Sequence, residues 1–303
     1  MQDRHARRRI GTLGVAALLL ALPACGDDGR PADTPAPGAT SSAAPPVPTA
    51  DEFDPAAFQD PTSVDNQWFP LTPGTEMTWE GQALDGEDKL ERKVVFTVTD
   101  LEKEIDGVPA VVVWELDYTE GELEEAELSF FAQDDDGNVW HLGEYPEEYE
   151  EGEIVKHPLW IAGLQGALPG IHMPASSAPD TPSYAQGWGP AVGWNDRGDT
   201  YAVGEQTCSE VDCYDDVLVV KEFSRTEPGA FQLKYYASGI GNVRVGWGGP
   251  NEDEHEVLVL TSIAQLDAAA LDEARTNALA QEARGYDLSP GVYGRTQPAA
   301  QRA

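Results

Sequence analysis

Basic residues are scarce in this chain: 19 Lys and Arg stand against 54 Asp and Glu in 303 residues, a formal charge of −35. A field of that sign repels phosphate backbones and anionic headgroups, which excludes nucleic acid and a charged lipid surface as partners. Sulfur is scarce too, with three cysteines and three methionines. That is too little for a zinc module of paired cysteines or a thioether-rich copper centre. No apolar run reaches the ~20 residues that a spanning helix needs.

Catalytic signatures are also missing. A Gly-x-Ser-x-Gly elbow around Ser238 fails because Tyr236 holds the first glycine position. His255-Glu256 begins a zinc-protease pattern that fails at Val259. There is no Walker loop or dinucleotide fingerprint, and Gly239-Ile240-Gly241 reads as a bend at a strand edge. His141, His157, His172 and His255 fall on separate elements, with only Met77 and Met173 as soft ligands beyond the leader. The chain is therefore read as a non-enzyme with no cofactor. Acidic runs such as Asp134–Asp136 and Glu252–Glu254 offer oxygen ligands of the kind calcium takes. The first lacks an acidic ligand at position 132 and has Gly143 where the last glutamate belongs, so solvated turns are the better reading.

What is present begins with an address. Arg4, Arg7, Arg8 and Arg9 precede an apolar run from Ile10 to Leu22, and Leu22-Pro23-Ala24-Cys25 closes it. A basic segment, a short apolar stretch and small residues before a cysteine form a bacterial lipoprotein signal. Residues 1–24 are assigned to the signal and Cys25 to lipidation, through which the protein meets the membrane from the extracytoplasmic side. Removing four arginines and one aspartate takes the charge from −35 to −38. Residues 25–54 are rich in Pro, Ala, Thr and Ser, with too little apolar surface to offset ordering, and read as a disordered tether. With Cys25 assigned, Cys208 and Cys213 remain close together in an oxidising compartment, where a local disulfide is expected.

Residues 55–263 read as antiparallel β. Lys93–Thr99 alternates, and Val108–Thr119 carries Val112, Trp114, Leu116 and Tyr118 on one side. Leu123–Gln133 and Val139–Leu142 flank a turn at Asp134–Asn138, the signature of a hairpin. Further strands are expected at 153–157, 200–206, 217–224, 231–237, 241–246 and 256–263. Between them, Leu159 to Arg197 is rich in Gly, Pro and Trp without a period, and reads as a wall or lid. Residues 264–303 hold an Ala-rich helix ending near Gly285, with a narrow stripe of Ile263, Leu266, Ala270 and Ala274, expected to dock loosely, and a tail.

Several segments resemble a family of uncharacterised secreted bacterial lipoproteins of actinobacterial type. They are Asn66 with Trp68-Phe69-Pro70-Leu71 and Pro73-Gly74-Thr75, Phe131-Ala132-Gln133, and Gly137-Asn138-Val139-Trp140. Pro169–Ala175, Asp216–Val219, Tyr235-Tyr236-Ala237 and Gly239-Ile240-Gly241 continue the likeness. The resemblance implies a β-rich exported domain and no particular activity. Its relatives have an ordinary turn where this chain has the Cys208–Cys213 loop.

The expected fold is mainly β: a curved antiparallel sheet, a half-barrel or a small closed barrel, with a C-terminal helix packed against it. A concave apolar face would make this a monomeric binding module for an apolar or amphipathic small molecule, lined by Trp114, Tyr118, Trp140, Trp160, Trp188 and Trp194. The rival reading is a cell-envelope protein that meets other proteins and has no small ligand.

Overall fold

The computed structural model describes residues 47–85, 88–179, 181–252 and 255–302. Cys25, the signal and most of the tether lie outside them. Two antiparallel meanders form the scaffold. The first runs through β1 (Thr75–Asp85), β2 (Asp88–Ile105), β3 (Val108–Thr119), β4 (Glu122–Gln133) and β5 (Val139–Glu150). Short strands follow: β6 (Glu153–Lys156), β7 (Trp160–Ile161), β8 (Leu168–Met173), β9 (Tyr184–Ala185) and β10 (Gly187–Trp188). The second meander is β11 (Asp196–Cys208), β12 (Cys213–Ser224), β13 (Phe231–Ala237), β14 (Gly241–Gly248) and β15 (Val257–Gln265). Helix α1 (Ala268–Leu288) comes next, and β16 (Ala300–Gln301) ends the chain by pairing with β2.

Pairing of β1 with β15 fuses the meanders into one sheet, ordered β10-β8-β5-β4-β3-β2-β1-β15-β14-β13-β12-β11-β9. Its two ends, β9 and β10, are separated in the chain only by Gln186. Residues 184–188 therefore strap one edge to the other, bonding to β11 through Arg197 and Gly198 and to β8 through Leu168 and Pro169. The sheet is a nearly closed barrel. The irregular, Trp-rich middle is its seam, built of strands too short to show a period.

Glycine is what lets the strap lie flat. A Cβ on Gly170 would stand 2.2 Å from Gly187 N and 2.5 Å from the Ala185 carbonyl oxygen, backbone atoms that cannot rotate away. Gly170→Ala is expected to cost about 1–3 kcal/mol by overpacking. Hydrogen exchange at Gln186, whose N–H donates to the Asp196 carbonyl at 2.9 Å, should accelerate with it. Unchanged protection there would mean that the strap does not close the seam.

Apolar side chains are divided between two faces. Inside the barrel, Phe69, Leu71, Val98, Val111, Val113, Phe131, Leu218 and Tyr236 form one cluster, and Met77, Trp79, Val243, Val245, Leu258 and Leu260 another. Outside, Leu101, Val112, Leu128, Phe130, Trp140, Leu142 and Tyr145 pack beneath α1 and Tyr293. Residues 47–54, assigned by composition to the tether, belong to this packed unit: the Phe53 ring lies edge-on to Trp140 at 5.2 Å.

Helix α1 starts where Asp267 accepts from the amides of Ala269 and Ala270. Its buried face is Ala274, Ala278, Gln281, Glu282 and Gly285, small or polar residues at helical spacing. The expected stripe beginning at Ile263 was off by position, because Ile263 and Leu266 precede the helix. Nor is the docking loose. Arg275 pairs with Asp100 at 2.8 Å, Arg284 with Glu147 at 2.6 Å, and Gln281 joins Trp114 to the Ala126 carbonyl.

The segments that carry the family resemblance converge in space. Asn66 Oδ1 accepts from the amides of Trp68 and Phe69, while its Nδ2 donates to the carbonyls of Gly137 and Pro174. Gln133 Oε1 accepts from the amides of Asp65 and Asn66, and Asn138 Oδ1 from that of Ala175. These bonds seat Phe69-Pro70-Leu71 against the barrel interior, so the motif is held in place by the amide side chains of Asn66, Gln133 and Asn138.

Candidate functional site

Period-2 alternation sends Glu115 and Asp117 of β3, Glu127 and Ser129 of β4, and His141 of β5 into the barrel. Glu144 joins them past the irregularity at Gly143. From the second meander come Asp196, Glu222, Gln232 and Lys234, and His172 arrives on β8. Together with Arg92, Glu256 and the apolar groups Phe69, Met77, Trp79, Phe96, Phe131 and Leu258, they enclose a cavity of about 390 Å³. One side is aromatic and aliphatic. The other is acidic.

Two cations answer part of that charge. Arg92 Nη2 lies 2.6 Å from Asp117 and its Nε 3.6 Å from Glu256, and Lys234 Nζ lies 2.7 Å from Glu222. Gln186 of the strap donates to Glu222 at 2.8 Å, tying the seam to the same group. Burial alone would raise Glu222, but Lys234 overrides it and holds the carboxyl below the usual range; Lys234 is held above its own. The remaining carboxyls go the other way. Burial, then repulsion from Glu127, pushes Glu115 up to about 8, and the same two causes hold Glu144 well above its ordinary value. Burial with Glu127 beside it takes Glu125 to about 8, and burial raises Glu127 and Asp196.

The two histidines are neutral. Burial, with His172 adjacent, lowers His141 to about 3, and burial lowers His172 to about 4. They sit 6.3 Å apart, ring to ring, among Phe69, Phe131, Trp160 and Trp194. Although separate in sequence, they meet in space. Among the described residues, however, no group of three or more His, Cys, Asp or Glu side chains is arranged to hold a metal ion.

Of the six aromatic residues expected to line a ligand site, Trp194 alone faces the cavity. Trp160 packs behind it in a tilted arrangement, ring centres 4.8 Å apart. Trp114 lies on the outer face, where its indole donates to Gln281 of α1 at 3.0 Å. Tyr118 shares that face, 6.0 Å from Lys93 Nζ. Trp140 is buried outside the barrel and donates to Asp134 at 2.8 Å, and Trp188 is 44% exposed on the strap. The physical reason is the helix. The apolar side of β3 was expected to be the concave one, but α1 covers the convex side and needs apolar partners there. The concave side was thereby left to Glu115 and Asp117. The alternation of acidic residues at 115 and 117, and at 125 and 127, was the available signal.

The Asp134 turn spends its carboxylate internally, on the amides of Asp136 and Asn138 and the Trp140 indole, while Asp135 accepts from Gln59. Asp135 and Asp136 are exposed, as expected of a solvated turn, while Asp134 holds the turn together from within. Cys208 and Cys213 form the expected disulfide, joining β11 to β12 at the end of their hairpin. Among the described residues no helix is long and apolar enough to cross a membrane.

No protein-family model and no curated protein matches the sequence. Two solved structures are similar. One, described as an exported protein with a YmcC-like fold from Bacteroides fragilis, is 13% identical with a TM-score of 0.39, over 66% of this chain and 99% of that one. The other, described as a lipoprotein from Parabacteroides distasonis, is 12% identical with a TM-score of 0.29, over 66% and 100%. Likeness at that level does not inform the reading of the cavity.

Proposed function

We propose that this chain is a lipid-anchored extracytoplasmic binding module whose barrel takes up a small amphipathic molecule. The observation that carries the reading is the cavity of about 390 Å³ with one aromatic wall and one polar wall. Its volume lies in the range of small-molecule sites, and an amphipathic guest would satisfy both walls at once. The signal before Cys25 supports export and anchoring, with the barrel held outside the membrane.

Native mass spectrometry tests this on the mature chain carrying Cys25→Ser, exported and purified without detergent. Excess mass that organic extraction removes is the expected result. A bare polypeptide mass, together with failure to bind a fluorescent alkyl probe, would overturn the reading in favour of a protein that contacts other envelope proteins.

A further inference from the structure

The excess negative charge of the cavity is concentrated on one wall. Arg92 is engaged by Asp117, and Lys234 by Glu222. Glu115 and Glu127 stand directly opposite each other in the β3–β4 register, where like charges repel. Glu144 follows on β5, opposite Ser129. Glu115 and Glu127 make no direct ion pair with a described residue, although the charge of Lys234 reaches both and the Ser129 hydroxyl donates to Glu127, and the neutral His141 Nε2 lies 3.8 Å from Glu144.

A second observation is independent of the carboxylates. His141 is 5% exposed, lines the cavity, and its Nε2 has no hydrogen-bond partner among the described residues. A buried polar atom left in that state costs stability that a ligand's donor would recover. Phe96 lies opposite Glu115 in the β2–β3 register and packs with Phe69 at 6.1 Å and Trp79 at 6.2 Å. An apolar surface thus adjoins the acidic one.

Resting on the binding-module reading above, we propose that the guest is an amphipathic amine, its ammonium group among Glu115, Glu127 and Glu144 and its apolar end against Phe69, Trp79 and Phe96. An ammonium offers three donors to a wall on which adjacent strands carry Glu115, Glu127 and Glu144, and charge-assisted bonds of this kind are the strong ones. A neutral guest would leave the carboxyls protonated and gain no charge-assisted bond, and an anion would be repelled by any of them that ionise. The raised carboxyl affinities for protons at this wall are the apo protein's answer to the same crowding. Binding of a cation would release those protons.

The test is calorimetric titration of the mature chain carrying Cys25→Ser with octylamine, 1-octanol and octanoate, which share one apolar chain. The expected result is octylamine binding at least about tenfold more tightly than octanol, with octanoate weakest. Octylamine affinity should rise from pH 6 to pH 8, with proton release visible as a heat that depends on the buffer. In Glu115→Gln/Glu127→Gln, octylamine should fall to the level of octanol while octanol binding is retained, which also shows that the variant is folded. Equal binding of octylamine and octanol by the unaltered protein would overturn the amine assignment and leave the binding module standing. Failure of all three to bind would overturn both.

Discussion

Lys103→Ala is expected to destabilise the protein by about 3–5 kcal/mol, the range for breaking one side of a buried ion pair. Lys103 is 1% exposed, on the outer face of β2 beneath α1 and the C-terminal tail. Its Nζ donates to Glu282 at 2.7 Å, to the Gln297 carbonyl at 2.6 Å and to Tyr286 at 3.1 Å. It also lies 4.5 Å from the centre of the Tyr293 ring. Glu282 in turn accepts from the Ala299 amide, so one lysine holds helix, tail and sheet together. Removing it leaves the Glu282 carboxylate buried without its cation and the Gln297 carbonyl without the lysine donor. Lys103→Met/Glu282→Gln removes both charges yet keeps an acceptor for Ala299, and should recover much of the loss. Urea denaturation followed by near-UV dichroism measures both. A loss of under about 1 kcal/mol for Lys103→Ala would mean that apolar contacts alone hold α1.

Between pH 6.5 and 8, stability is expected to fall as pH rises, by about 2 kcal/mol in total once cavity solvent is allowed for. The sign follows from which state binds more protons. Glu115 and Glu125 are raised from 4.5 to about 8, and Glu127, Glu144 and Asp196 are raised as well. The folded state therefore holds protons that the unfolded chain releases from pH 4.5 upward. The stability these groups contribute is complete below that value and lost as pH passes through the folded one. His141 and His172, lowered to about 3 and about 4 from 6.5, act in the opposite sense, because the unfolded chain takes up protons first. They oppose the carboxyls only below pH 6.5, so the decline above it belongs to the carboxyls.

Arg92, Asp117, Glu222 and Lys234 face the same space as ion pairs, with Glu222 lowered and Lys234 raised. Glu222 is ionised and Lys234 charged across the window. Thermal melts at pH 6.5 and 8 would show the decline, and Glu115→Gln should flatten it while stabilising the protein at pH 8. A stability that rises over the window would contradict the buried, crowded placement of these carboxyls.

Fold class was legible in the sequence because strand and turn are local. Alternation in Val108–Thr119 and Leu123–Gln133, with turn residues between runs, requires only neighbouring residues to agree. The disulfide was legible for the same reason, since Cys208 and Cys213 meet across one turn. The helix was visible as composition, although its buried face was not, because Gln281 and Glu282 are buried by partners on β2 and β3.

The site was not legible in this way. Alternation establishes that Trp114 and Glu115 point to opposite sides of β3, but not which side is concave. That depends on where a helix some 150 residues later comes to rest, and α1 lies over the Trp114 side. Closure across residues 184–188, the meeting of His141 with His172, and the crowding of Glu115, Glu127 and Glu144 likewise depend on distant strands sharing one interior. Strands, turns and the local crosslink follow from period and from neighbouring residues, so the order of amino acids is enough to specify them. Which face became the inside is set by long-range packing, and emerges only once distant strands and α1 have come together.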